Sequence, residues 1–136
     1  MSGIPPGGDR RDPKRIDRRR SPALKGHLEL LARMRAALKP GGRVLLEPHT
    51  FAAIENEGRA PPSWATAASG LFSPKPHCRL EEHFWHGDRQ AATTRHYIID
   101  AETGEVTRCA ATMQAYTDEG YDELFRDAGF FMMRRF

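Results

Sequence analysis

Two short segments bring together side chains that are candidates for catalysis or ligand binding. In "EPHTF", the carboxylate of Glu47 and the imidazole of His49 stand two residues apart. Such a pair can supply a polar contact and a general base, provided that the geometry brings both to a substrate. Phe51 and Trp64 would then form an apolar wall. The alternative is structural, with Glu47 bonded to nearby backbone and His49 placed in a loop.

The second segment, "PHCRLEEHFWH", combines imidazoles, a thiol and carboxylates within eleven residues. His83 and His86 are three residues apart and Cys78 is a soft ligand, so these side chains could act together as zinc ligands. The paired C-x2-C spacing of zinc sites is absent, so we predict no metal and a half-buried loop with both histidines on one side of a turn. We expect His77 and Trp85 to contact a substrate, and Phe84 to lie in the core or beside that substrate.

A helix, a tight turn and a strand precede the first of these segments. The leucines of residues 22–38 recur with a helical period, with Ser21 as the cap and Pro22 in the first turn. "PGG" at residues 40–42 stops this helix. "RVLLE" at residues 43–47 is apolar at its centre, which is typical of a strand buried in the middle of a parallel sheet.

The remainder of the chain predicts further short elements. Residues 48–76 are broken by proline and glycine, and within them "TFAAIENEG" and "SWATAASGLF" each predict a short helix. Residues 89–116 predict a β-hairpin whose turn starts at Asp100 and holds Gly104 in a left-handed conformation. Thr117 caps a helix at residues 118–128, and "FFMM" begins a short last strand. The expected class is therefore α/β.

Charge is distributed unevenly along the sequence. Residues 1–20 carry seven Lys/Arg and three Asp, whereas the rest has one more acidic than basic residue. We expect residues 1–21 to form a disordered basic tail and 22–136 to form the folded part. A basic arm can grip nucleic acid, but the acidic balance of the remainder argues against this partner. No apolar run approaches the ~20 residues of a membrane span, and we expect a cytoplasmic protein with reduced thiols.

Two stretches carry a resemblance to a known family. "LLARMRAALKPGGRVLLEPHTF" resembles the fourth helix and fifth strand of class I S-adenosylmethionine-dependent methyltransferases. "YTDEGYDELFRDAGF" is similar to the penultimate helix of that family, and the intervening stretch is similar to the insertion and hairpin of its small-molecule members. The resemblance implies the C-terminal half of a Rossmann-like fold, a methyl group transferred to a small acceptor, and S-adenosylmethionine as the cofactor of the intact family. It also places the segment of Glu47 and His49 at the ligand crevice.

The chain departs from this family at the cofactor site. No "G-x-G" occurs in the sequence, and nothing matches the glycine-rich turn after the first strand or the acidic end of the second. We therefore predict no cofactor-binding residues, a truncated domain and no activity of this chain alone. The edge left open at residues 43–47 should pair with a second copy or another chain. The alternative function is a non-enzymatic partner that completes its sheet in this way.

Overall fold

The computed structural model describes residues 22–136, and the basic tail and the Ser21 cap expected from the sequence lie outside them. Three helices and four strands form in this part of the chain, which confirms the mixed α/β class. In chain order they are α1 (Pro22–Ala36), α2 (Phe51–Gly58), β1 (Ser63–Ala67), β2 (His77–His86), β3 (Ala91–Asp100), β4 (Val106–Gln114) and α3 (Asp118–Asp127). Among the described residues, no helix is long and apolar enough to cross a membrane.

The four strands form one antiparallel sheet in the order β1-β2-β3-β4. The predicted hairpin of residues 89–116 is confirmed as β3 and β4. Its turn follows the expected chemistry, because Asp100 Oδ1 accepts hydrogen bonds from the backbone N–H groups of Glu102 and Thr103 at 2.8 and 2.9 Å. Gly104 has φ +72°, a conformation that costs a residue with a Cβ roughly 1–2 kcal/mol.

Two segments predicted to be helix or loop are strands in the structure. Ser63–Ala67, expected to start a helix, is β1, and 77–86, expected to be a loop, is β2. Neither segment shows an apolar-polar alternation in its sequence. Polar side chains stand on both faces of β2, and all of β1 is exposed. Strand β2 pairs with β3 along its whole length and with β1 on its other edge. Tertiary pairing has overridden the local pattern.

Register divides the side chains of the sheet between two faces. The face that we call the covered face carries Arg79, Glu81, His83 and Trp85 of β2, and the open face carries Cys78, Leu80, Glu82, Phe84 and His86. Helix α2 packs on the covered face, where Ile54, Ala92 and Ala115 form a small core with Phe51, Trp85 and Met113 around it. Strand β4 is exposed on both faces over most of its length.

A second core joins helices α1 and α3. Its buried members are Leu24, Leu31, Tyr116, Leu124 and Ala128. Both helices were predicted from their apolar spacing, and both are confirmed with ends within two residues of the prediction. Thr117 caps α3 as expected, since its Oγ1 accepts a hydrogen bond from Gly120 N at 3.1 Å. Burial raises the pKa of the Tyr116 hydroxyl to about 12.

Helices α1 and α3 run side by side in the same direction. Near their starts, His27 Nδ1 lies 2.7 Å from the hydroxyl of Tyr116, which directly precedes the cap of α3. Near their ends, Arg35 of α1 lies over Gly129, where an added Cβ would come within 2.9 Å of the guanidinium Nη1. Contacts at both ends fix a parallel pair.

The apolar segments after these two helices do not join the sheet. Residues 43–49 and 130–136 contain no strand, so the strands predicted at "RVLLE" and "FFMM" are wrong for this structure. Leu45 is 84% exposed, and Phe131 and Met132 are 83% and 86% exposed. A strand forms only when a neighbour accepts and donates its backbone hydrogen bonds, and neither segment has such a neighbour among the described residues. The parallel sheet expected from the sequence is likewise not present there.

Candidate functional site

A row of polar side chains crosses the covered face beyond the area packed by α2. Strand register places Ser63, Glu81, His96 and Cys109 opposite one another on β1, β2, β3 and β4. Each neighbouring pair is in cross-strand contact range, where side chains interact directly. Antiparallel pairing thus gathers residues that are far apart in sequence.

Glu81 is the centre of this row. Its Oε1 lies 3.1 Å from Nε of Arg79 and 3.3 Å from Nδ1 of His96, and its Oε2 accepts a hydrogen bond from the Ser63 hydroxyl at 3.3 Å. The His96 contact has the distance of an ion pair but not the alignment of a hydrogen bond, and Nδ1 has no other partner among the described residues. At this geometry, the Glu81 carboxylate therefore attracts the His96 imidazole only when the imidazole is protonated.

Phe72 covers this cluster from the loop between β1 and β2. Its ring lies 4.9 Å from the ring of His96, tilted by 39°, and the guanidinium carbon of Arg79 lies 5.3 Å from the Phe72 centroid. The aromatic face attracts the cation, and both contacts hold the loop against the sheet. Polar groups on the sheet are thus partly shielded from water.

A cavity of about 200 Å³ opens beside Phe72. Its walls include Ala65, Ala67, Leu71, Phe72, His77 and Arg79. His77 is 5% exposed, and its Nδ1 lies 2.7 Å from the carbonyl oxygen of Lys75. Because a carbonyl only accepts, Nδ1 carries the proton and Nε2 of the neutral ring is an acceptor or base. His77 is the one residue expected at a substrate site that lines this cavity.

The other predicted substrate residues have different positions. Phe51 and Trp85 meet edge to face at 5.7 Å under α2, so both belong to the core between helix and sheet. Trp64 lies on the open face of β1 and is 74% exposed. The structure brings Phe51 and Trp85 together and separates Trp64 from His77, which lies on the opposite face.

Glu47 and His49, the predicted catalytic pair, are exposed in the segment before α2. The backbone carbonyl of His49 accepts a hydrogen bond from the Tyr121 hydroxyl at 3.0 Å, which ties this segment to α3. Neither side chain is among the residues that line the cavity. Their catalytic role stays a prediction.

The thiol and imidazoles of β2 do not form a metal site. His83 faces α2 and His86 faces the opposite side, so their expected placement on one side of a turn is wrong. Cys78 and His86 share the open face but stand eight residues apart, roughly 27 Å along a strand. No group of three potential ligands is present among residues 22–136. His83 instead links helix to sheet, with Nδ1 3.2 Å from Glu57 Oε1 and 3.4 Å from Thr94 Oγ1.

Arg79, Glu81, His96 and Phe72 are not among the residues that the sequence predicts for a site. The spacing Arg79-x-Glu81-x-His83 is a usable signal once residues 77–86 are taken as a strand, since alternate residues share a face. His96 joins the cluster only through the β2–β3 register. No protein-family model, curated protein or solved structure matches this chain.

Proposed function

We propose that the described residues form the acceptor-side half of an S-adenosylmethionine-dependent methyltransferase that acts on a small molecule. The observation that carries this proposal is the parallel pair α1 and α3. A glycine in a left-handed conformation and then an exposed apolar segment follow each helix, with Gly41 before residues 43–47 and Gly129 before residues 130–136. Helices that run in parallel and lead into apolar segments are the repeating unit of a doubly wound parallel sheet.

Exposure of the two segments supports a missing layer of sheet. Strands in the middle of a parallel sheet are apolar on both faces, because helices cover each face. Leu45, Leu46, Phe131 and Met132 have this character and are exposed in the described part of the chain. Strands that carry a glycine-rich loop, supplied by further residues or by another chain, would pair with these segments and bring the cofactor.

In this arrangement Glu47 and His49, the predicted catalytic pair, would lie at the site of methyl transfer. Ligands of open α/β sheets bind beyond the carboxyl ends of the strands, and Glu47 and His49 directly follow the segment 43–47. His49 is proposed as the base that removes a proton from an O–H or N–H acceptor, and Glu47 as a polar contact. The antiparallel sheet with its Phe72 cavity would form the acceptor side, and the complementary half would bind the cofactor.

The test begins with the DNA ahead of the codon for Leu24, read in all frames for a strand followed by "G-x-G". A chain extended by that segment should bind S-adenosylmethionine in a calorimetric titration, whereas the 136-residue chain should not. Amide hydrogens of residues 43–47 should become protected from exchange in the extended chain. Leu45→Lys should abolish protection and cofactor binding together, because a charge would enter the middle of the sheet.

Leu30→Lys is the matched control, since Leu30 is exposed on α1 and lies outside the core between the helices. This variant should bind the cofactor like the unchanged extended chain. An extended chain that binds no cofactor, with residues 43–47 still exchanging freely, would contradict the proposal.

A non-enzymatic partner is the second candidate function. The same exposed segments favour it, because they can complete a sheet in trans without any chemistry on this chain. In that case a chain bearing the glycine-rich loop should protect residues 43–47, and methyl transfer by the complex should be unchanged by His49→Ala. Loss of methyl transfer in the His49→Ala complex would instead favour the enzymatic function.

A further inference from the structure

Strand β4 forms one edge of the sheet, and residues 106–112, seven of its nine residues, are exposed. Among the described residues, no strand pairs with its outer side. Its register with β3 runs without a bulge. The strand contains no proline and one charged residue, Arg108. Bulges, prolines and several charges are the features that protect edge strands from pairing with other chains, and β4 lacks them.

The opposite edge of the sheet is less suited to a partner strand. Strand β1 has five residues, and Pro61 and Pro62 directly precede it. Neither proline has a backbone N–H group to donate. A partner strand would therefore find fewer backbone hydrogen bonds along β1 than along β4.

Backbone hydrogen bonds at the two ends of the β3–β4 pair show which groups of β4 point outwards. At one end, Asp100 N donates to Glu105 O at 2.9 Å, and at the other end Ala115 N donates to the carbonyl of β3's preceding residue at 2.8 Å. In an antiparallel pair, hydrogen-bonded and non-hydrogen-bonded residue pairs alternate. The continuous register therefore turns the N–H and C=O groups of odd-numbered β4 residues towards β3. The exposed residues whose N–H and C=O groups point away from β3 are Val106, Arg108, Ala110 and Thr112.

We propose that β4 pairs antiparallel with β4 of a second copy of this chain, so that two four-stranded sheets join into one. With the two-fold axis at Cys109, each of the seven exposed residues has a partner, and the outward N–H and C=O groups of the two strands face one another. Arg108 then lies opposite Ala110 of the second copy. The one charge of the strand is therefore not directly opposite its own copy, an arrangement that would destabilise the pair.

This pairing is distinct from association through the apolar segments 43–47 and 130–136, and it does not rest on the proposed function. It adds backbone hydrogen bonds but buries little apolar surface, so it should be the weaker of the two associations. Cross-linking is therefore measured in a chain that carries Leu45→Lys and Phe131→Lys, because these substitutions remove the exposed apolar side chains of both segments.

Disulfide formation under mild copper-catalysed air oxidation tests the register. Residues opposite each other in a non-hydrogen-bonded pair have Cα atoms about 4.5 Å apart, which is within the range of a disulfide. A chain in which Cys78→Ser leaves Cys109 as the single cysteine should form a disulfide-linked dimer. The matched control adds Cys109→Ser and Thr107→Cys. Thr107 is also exposed and lies on the same face of β4, but its two copies would be about 14 Å apart in this register.

The Cys109 chain should cross-link at least tenfold faster than the Thr107→Cys control. In addition, a mixture of the Thr107→Cys chain with an otherwise identical Ala111→Cys chain should cross-link between the two, because these positions are opposite each other in the proposed pair. Equal rates for the Cys109 chain and the control, or no cross-link in the mixture, would overturn the proposal.

Amide hydrogen exchange tests the pairing on the unchanged chain, so the result does not depend on any variant folding. As the protein concentration rises, the amides of Arg108, Ala110 and Thr112 should become protected. Amides of the odd-numbered residues between them already donate to β3 and should change much less. Protection that stays the same at the even-numbered positions, or that rises equally at odd and even positions, would overturn the proposal.

Discussion

At the scale of single residues, close packing in this chain depends on a glycine that ends α2. A Cβ on Gly58 would lie 2.9 Å from Cβ of Ala92, 3.1 Å from Cα of Trp85 and 3.2 Å from the carbonyl oxygen of Phe84. Two of these three atoms are backbone, which cannot rotate away. The glycine therefore lets the helix approach β2 and β3 closely enough to bury Ile54.

Gly58→Ala should lower the free energy of unfolding by about 1–3 kcal/mol, because overpacking forces helix and sheet apart. Gly26→Ala is the control, since a Cβ at that helical position would meet no described atom within 4 Å apart from its own helix backbone and chain neighbours. Alanine there should raise stability by up to about 1 kcal/mol through helix propensity. Urea unfolding of both variants measures the difference, and an equal effect of the two substitutions would contradict a close helix–sheet approach.

At the scale of elements, the turn between β3 and β4 gives the sheet a pH dependence. Backbone N–H groups of Thr103 and Glu102 donate to the Asp100 carboxylate and lower its pKa below 3.8. A folded-state pKa below the unfolded one means that the carboxylate contributes stability above pH 3.8. This contribution is lost as the pH falls through the folded-state pKa.

Asp100→Asn should reduce the fall in melting temperature between pH 5 and pH 2, because an amide keeps an acceptor but does not titrate. Asp100→Ala should melt at a lower temperature than the parent at pH 7, since the two N–H groups lose their partner. Glu102→Gln controls for a lost charge in the same turn and should leave the pH profile unchanged. Thermal melts by circular dichroism give all three profiles. An Asp100→Asn profile as steep as that of the parent would show that the turn does not carry this dependence.

Elements were predictable from the sequence where their determinants are local. Thr117 and Gly129 frame α3, and Asp100 and Gly104 frame the hairpin turn, so caps and turn residues located these elements correctly. Strand β2 was not predictable in this way. Its polar residues on both faces make sense only once β3 supplies His96 opposite Glu81.

The candidate site was predictable to a still smaller extent. His77 was expected to contact a substrate and lines the cavity, but Arg79, which lines it too, can be assigned to the same site only once both are known to share one face of β2. The strand predicted at residues 43–47 was wrong for the opposite reason. Its sequence pattern is that of a strand, but no neighbouring strand is present in the described part of the chain. A sequence pattern records which surface is suited to burial, whereas pairing depends on the partner.

At the scale of the whole molecule, two small cores and two uncovered apolar segments decide how the chain behaves in solution. One core lies between α1 and α3 and the other between α2 and the sheet, and neither includes Leu45 or Phe131. Both side chains are more than four-fifths exposed, and their backbone pairs with no strand among residues 22–136. Unpaired apolar strands associate with other chains.

The 136-residue chain should therefore self-associate in a concentration-dependent manner, which sedimentation velocity detects as a rising weight-average coefficient. A double variant, Leu45→Lys with Phe131→Lys, should shift this association to at least tenfold higher concentration, because each lysine would have to be desolvated in a paired sheet. Leu71→Lys is the control: Leu71 is 95% exposed but lies in the loop between β1 and β2. Its association should match that of the parent. A parent chain that stays monomeric and melts cooperatively at every concentration would mean that these segments need no partner, which would also remove the support that their exposure gives to a sheet completed by other strands.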